Sequence, residues 1–349
     1  MKKINLTILL LNIFTFIQLS GQESLLDTRG YVEVRNFLRF ADSVNFDGYG
    51  RGWLEFKTNY DYYGAQIVFD GLLPFDTMRN IGLNPGLTIT RLAVWFGPEN
   101  IRVIAGKQKI SWGVTRVFRP LDIFNPTNLF EPGYERFGIN AILLNLALSS
   151  LTNTRFLFLP QFPLKSSGLA CRFGSNLLKN DIGVNAYYQS AKKHLIFGTD
   201  LAGELIFGYW GELTYNREDT TQYFKASVGI DYTFPLSIYG MVEYFYDQSG
   251  KTNPAHYDWQ RLKTRGTLAC NYLYIALSSM PNLIFRPALN SVFNLNDRGF
   301  ILIPQIAYEP WANTLLNLGL AFTIGSATSE FKKSTGFNEM VFLWAKVYF

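Results

Sequence analysis

Catalysis has little to work with in this chain. Its 349 residues include two histidines and two cysteines. His194 falls in a segment that reads as a strand, and His256 in a loop. Ser190 precedes His194 by four positions, which on an extended chain is about 13 Å at ordinary strand rise. No third polar group completes a nucleophilic triad with them. Cys171 and Cys270 are too few for a disulfide scaffold or a multi-cysteine metal site. Neither a phosphate-cradling glycine loop nor a nucleophile elbow is present. The expectation is a protein that is not an enzyme, with no cofactor and no metal.

Charge recognition is chemistry the sequence can support, and it concentrates in 101–138. A strand pattern runs from Ile101 to Gln108, followed by Lys109-Ile-Ser-Trp-Gly113, Arg119-Pro-Leu-Asp-Ile-Phe-Asn-Pro126 and Glu131-Pro-Gly133. Prolines at 120, 126 and 132 forbid an ordinary strand or helix interior. An irregular stretch of about 28 residues is more often functional than idle. Trp112, Phe118, Leu121, Ile123, Phe124, Leu129, Phe130 and Phe137 need a surface to pack on. The segment is therefore expected to fold back into the lumen of a membrane barrel and narrow it, with Trp112 and Phe124 as anchors. Lys107, Arg116, Arg119, Asp122 and Asn125 complete the constriction candidates, Arg116 and Arg119 being those expected to face solute.

A barrel must exist to position these groups, and the rest of the chain argues for one. Aromatic residues make up 16% and charged residues 17%, against about 25% charged in a soluble domain. Strict alternation recurs. Phe224, Ala226, Val228, Ile230 and Tyr232 form one face, with Lys225 and Asp231 on the other. Ile238, Val242 and Tyr244 alternate with Tyr239, Glu243 and Phe245. Leu316, Leu318, Leu320, Phe322 and Ile324 alternate with Asn317 and Thr323. A period of two over about ten residues marks transmembrane barrel strands rather than the shorter strands of soluble sandwiches.

Strands are predicted near 31–40, 51–60, 63–70, 87–96, 101–108, 138–148, 154–160, 168–174, 181–189, 193–203, 207–217, 221–234, 236–248, 262–278, 282–292, 298–308, 313–325 and 338–349. The fold class is thus all-β, one antiparallel barrel of about 18 strands (16–18). The long connections at 71–86, 109–137, 249–261 and 326–337 all follow odd strands, while turn-rich links such as Gly97–Asn100 and Glu309–Asn313 are short. Long loops outside and short turns inside is the asymmetry of outer-membrane barrels, which makes 109–137 the third external loop. The chain ends on an apolar alternation of Val341, Leu343, Ala345, Val347 and Phe349, similar to the C-terminal strand by which such barrels are recognised for assembly.

Residues 1–21 read as an export signal, with Lys2 and Lys3 ahead of an apolar run and Ser20-Gly21 at the cleavage point; residues 22–349 read as one barrel domain. Losing those two lysines takes the net charge from +5 to +3, too little to argue for nucleic acid. On the luminal faces fall Arg35, Arg39, Arg51, Lys57, Arg102, Arg155, Arg172, Lys225, Lys263, Arg265 and Arg286, against Glu33, Glu55, Glu212, Asp231 and Glu243. Charges on the lipid face cost about 2–4 kcal/mol at the midplane, so inward placement is expected. They can pair across strands, or leave a net-basic lumen that concentrates anions; the two readings are compatible.

The run Gly106-Lys-Gln-Lys-Ile-Ser-Trp-Gly113 with Asp122-Ile-Phe-Asn-Pro126 resembles the Gly-Lys/Arg-Gln-x-Ile-x-Trp-Gly … Asp-Ile-x-Asn-Pro signature of large porin-like outer-membrane families, relatives of the alginate-export barrels. That resemblance implies a barrel and a channel, without naming a solute. From the residues themselves, Gly106 and Gly113 permit positive φ where a strand leaves the wall. The expectation is a porin in a Gram-negative outer membrane, passing small polar or anionic solutes with a weak anion preference. Its partners are outer-membrane lipid and the barrel-assembly machinery. The alternatives are a plugged surface barrel acting as a structural protein or as an adhesin through Asn80–Pro85 or Lys251–Trp259, or an outer-membrane lipid enzyme.

Overall fold

The computed structural model describes residues 26–75, 85–125, 137–280 and 284–349, less the side chains at 236 and 263–265. The export signal expected at 1–21, residues 80–84, and Leu129 and Phe130 lie outside the described residues. Strands β1 (Leu26–Phe40), β2 (Val44–Asn59), β3 (Tyr63–Pro74), β4 (Gly86–Phe96), β5 (Ile101–Gln108) and β6 (Ile139–Ala147) open the chain. Next come β7 (Thr152–Leu159), β8 (Gly168–Leu177), β9 (Asn180–Gln189), β10 (His194–Glu204), β11 (Gly208–Glu218) and β12 (Thr221–Phe234). The last six are β13 (Ile238–Asp247), β14 (Asn271–Ser279), β15 (Phe285–Asn294), β16 (Phe300–Tyr308), β17 (Thr314–Ile324) and β18 (Glu339–Tyr348).

Among the described residues these form one 18-stranded antiparallel sheet in which each strand pairs with its sequence neighbours. The β1–β18 pairing, from Tyr31↔Tyr348 to Phe40↔Glu339, closes the ring. Phe349 completes the seam: its N–H donates to the Gly30 carbonyl and its carbonyl accepts the Gly30 N–H, both at 2.9 Å. Closure leaves no unpaired edge, which lipid would not tolerate.

The inside–outside alternation follows the sequence period. On β13, Met241, Glu243, Phe245 and Asp247 are buried while Ile238 and Val242 are exposed. On β17, Asn317, Gly319, Ala321 and Thr323 are buried and Leu318, Leu320 and Ile324 exposed. Connections after even strands hold two to five residues, whereas the long ones, 75–85, 109–138, 248–270 and 325–338, all follow odd strands and share one rim. The start of β1 and the end of β18 lie at the opposite, short-turn rim.

One predicted strand begins too early. Within 262–278, strand pairing starts at Asn271, and Trp259–Arg265 is instead a helix, α1. Asp258 caps it by accepting from the Gln260 N–H at 3.1 Å, and Gly266 ends it in the left-handed region at φ 73°. Apolar spacing alone does not distinguish a short capped helix from a strand entrance. Lys263 and Arg265 therefore belong to a connection and not to the wall. The side chain of Arg265 lies outside the described residues.

A second helix, α2 (Glu330–Thr335), sits in the connection 325–338 and buries Phe331 beside Tyr257, Tyr272 and Phe245. Its Glu330 carboxylate receives the Tyr272 hydroxyl at 2.5 Å, Asn294 Nδ2 at 2.7 Å and the Leu268 N–H at 3.1 Å, while Asp297 holds the Glu330 N–H at 2.7 Å. Burial pushes the Glu330 carboxyl from 4.5 up to about 7, with the Asp297 charge adding to the rise. A carboxyl whose folded pKa is raised holds its proton more tightly when docked. Docking of α2 is therefore most stable at acid pH and weakens as pH rises from 4.5 through about 7. A nitroxide at Ser334→Cys should gain mobility between pH 5 and pH 8, and Glu330→Gln should remove that trend.

Candidate functional site

The segment 109–125 leaves the wall after β5, enters the lumen and returns. Gly106 adopts φ +120° and Gly113 φ +91°, conformations that cost other residues strain. Beyond Gly113 the backbone meets two carboxylates of the inner wall. Glu212 on β11 accepts N–H bonds from Val114 at 2.6 Å, Thr115 at 2.8 Å and Leu121 at 2.9 Å. Glu243 on β13 accepts from Arg116 at 2.9 Å, Val117 at 3.2 Å and Phe118 at 2.6 Å, and also from Trp210 Nε1 at 2.8 Å. An irregular backbone inside a barrel must find acceptors for its N–H groups, and these two side chains supply them.

Apolar contacts hold both flanks. Trp112 is buried with Ile110 against Ala141, Leu157 and Ala170. Phe124 meets its ring edge-on at 5.2 Å and Tyr187 of β9 at 5.9 Å. Phe118 stacks on Phe245 at 4.9 Å and 5°. Asp122 accepts from Ser111 Oγ at 3.1 Å and from Asn125 Nδ2 at 2.9 Å, and Asn125 also donates to the Ile110 carbonyl. The segment's two arms are thereby tied together.

The two arginines lie on different sides of this bridge. Arg119, 3.7 Å from Asp122, lines a cavity of about 730 Å³ with Phe118, Tyr187, His194 and Lys225. Arg116 pairs with Asp231 and with the Tyr239 hydroxyl near the short-turn rim, its guanidinium 4.1 Å from the Trp210 ring centre. A second cavity of about 360 Å³, lined by Ser111, Trp112, Arg155, Arg172, Asn176 and Asp181, shares no residue with the first. Residues 111–123 therefore stand between two cavities along the lumen.

Lys107 is not part of this site. Register pairs it with Leu92, on the outward face shared with Ile101 and Val103, and its amine reaches the Ile89 carbonyl at 2.7 Å. A lysine stem can lie on an apolar face while its amine finds a polar group.

Most wall charges are paired. Arg35 meets Glu33 at 3.1 Å, Arg39 meets Asp47 at 3.1 Å and Arg51 is bidentate on Asp70. Glu55 takes Arg29, Lys225 lies 3.5 Å from Asp247, and Arg286 pairs with Glu309. Lys57 lies over the Trp95 ring at 5.9 Å. Arg102, Arg155 and Arg172 fall at one level, because register matches Arg102 with Asn145, Asn145 with Arg155 and Arg155 with Arg172. Arg172 is neutralised by Asp200 at 2.5 and 2.8 Å. Arg155 binds Asn145 at 3.2 Å and, like Arg102, has no carboxylate partner among the described residues.

Sequence reading placed Glu212 and Glu243 in the lumen but gave them no role. Asp231 and Tyr239 were likewise placed on the inner face without a role, and Trp210, which completes the set that holds Arg116, was unmarked. The only advance signal was an inward acid amid a basic wall.

A Gly113→Ala change would drive its Cβ into Glu212 Oε1 at a positive φ. It is expected to unseat the bridge, raising single-channel conductance and exposing 111–121 to limited proteolysis.

No protein-family model and no curated protein matches the sequence. Solved structures do. OprD of Pseudomonas aeruginosa superposes with a TM-score of 0.65 at 8% identity, over 95% of each chain. OpdK of the same organism, in a structure with vanillate, gives 0.64 at 8% identity over 93% of this chain and 98% of that one. OccK11 (OpdR) gives 0.61 at 9%, over 92% and 96%. This chain has the fold of those outer-membrane barrels. Identities this low carry the architecture and not the solute.

Proposed function

We propose that the chain is an outer-membrane porin-like channel for passive diffusion of small solutes, with residues 109–125 as its constriction and a weak preference for anions. One observation carries the reading: a bridge anchored on Glu212 and Glu243 separates two cavities within a closed barrel. A fold shared with OprD and OpdK agrees with it. The anion preference rests on Arg102 and Arg155 with Lys57, cations of the wall without a carboxylate partner among the described residues. It is weak because most of the remaining luminal cations are ion-paired. Fixed positive charge in a low-dielectric wall raises the local concentration of anions. Kinship with porin-like families through the 106–126 motif, export by residues 1–21 and insertion by the assembly machinery belong to the same proposal.

The test is a planar bilayer held in a salt gradient. The reversal potential should report a modest excess of anion over cation permeability. Cation preference would overturn the charge argument, and absence of conductance steps would favour a plugged barrel.

A further inference from the structure

Turns on the short rim of a barrel are expected to be polar, because they normally meet water. Three neighbouring ones are not. The β6–β7 turn presents Leu148 and Leu151, the β8–β9 turn Leu178, and the β10–β11 turn Leu205, Ile206 and Phe207. Leu178 is 95% exposed, Ile206 84% and Leu205 74%. Leu178 also holds φ 51°, a conformation glycine or asparagine takes with less strain. The adjoining turn, Gly97-Pro98-Glu99-Asn100, is polar by contrast.

Short strands occur in the same sector. β6 and β7, which the first of these turns joins, have 9 and 8 residues, against 15 and 16 in β1 and β2. With the usual rise and a tilt of about 40°, eight residues climb roughly 20 Å, less than an apolar band of about 25 Å. Part of that band must then be met by the β6–β7 turn, while β8 to β11, of 10 or 11 residues, reach across it and bring their apolar turns to its edge. Several backbone groups of these turns have internal partners, which lowers the cost of placing them in lipid. The Leu148 N–H donates to the Thr152 carbonyl at 2.9 Å, Leu205 N–H to Phe207 at 3.0 Å, and the Leu178 carbonyl receives Asn180 Nδ2 at 3.0 Å.

We infer that the tips of these three turns lie inside the membrane, in contact with phospholipid acyl chains of the leaflet at the short rim. They continue the outward apolar face made by Leu144, Phe156, Phe158, Leu169 and Phe197, which in a membrane barrel belongs to lipid. Lys179, beside Leu178, is long enough to carry its amine back to the headgroup phosphates. The inference rests on the barrel being in a membrane and not on what it transports.

Nitroxides placed by Leu178→Cys, Ile206→Cys and, as control, Glu99→Cys, in a Cys171→Ala, Cys270→Ala background, decide the matter in phospholipid vesicles. Heat-modifiable migration identifies folded barrels. Labels at 178 and 206 should relax faster with oxygen than with a water-soluble nickel chelate, and the label at 99 the reverse. Nickel dominance at 178 and 206 would place the turns in water and overturn the inference. So would labels there shielded from both reagents and broadened by spin–spin coupling, which would mean that a second copy covers them.

Discussion

Replacing Glu212 and Glu243 together by alanine is expected to leave the barrel assembled and to raise its single-channel conductance several-fold. The two side chains receive six backbone N–H groups of the bridge between Val114 and Leu121. Hydrogen bonds to a charged group contribute about 1.5–3 kcal/mol each, and a buried donor left unmade costs a similar amount. Trp112, Phe118 and Phe124 alone cannot offset losing them all, so the bridge should leave the lumen centre for positions where water satisfies its backbone. Strand pairing on β11 and β13 uses main-chain groups the substitutions do not touch. Glutamine at both positions should give an intermediate result, because its amide keeps one acceptor oxygen but loses the charge. Planar-bilayer recording of the three proteins in one salt supplies the comparison.

The second large effect concerns ion selectivity. Arg102→Ala with Arg155→Ala is expected to bring the reversal potential in a salt gradient to zero or to the cation side. Arg155 stands directly opposite Arg172 across the β7–β8 pair, an arrangement that repels when neither charge is compensated. Asp200 compensates Arg172, which leaves Arg155 and Arg102 as positive charge facing the lumen. Removing a paired cation such as Arg51 would instead strand the Asp70 carboxylate and confound the measurement. Raising ionic strength should shrink the wild-type preference, since the Debye length falls from about 10 Å at 0.1 M to 3 Å at 1 M.

Much of the architecture was legible in the sequence because lipid imposes a period of two on any strand that crosses it. The spans predicted for β5 and β12 match the structure, and most others fall within a few residues. The error at 262–278 arose where the chain leaves the membrane: α1 depends on a cap at Asp258 and a left-handed Gly266, not on alternation. Lys107 was misplaced because motif membership says nothing about strand parity, and parity sets it outward with Val103. The bridge could be anticipated from its prolines and large apolar residues, with Trp112 and Phe124 as anchors, but the contact between those two rings could not. Its carboxylate supports could not. Glu212 and Glu243 bind main-chain N–H groups about a hundred residues away in sequence, and an N–H looks the same in every residue type except proline.

The central claim, that residues 109–125 narrow an open barrel, is tested most directly by replacing 115–130 with a Gly-Ser linker and recording single channels beside the wild type. A heat-modifiable barrel with clearly larger conductance steps than the wild type is the predicted result. A barrel that folds normally yet conducts at the wild-type value would contradict the account, because the pore would then be limited elsewhere.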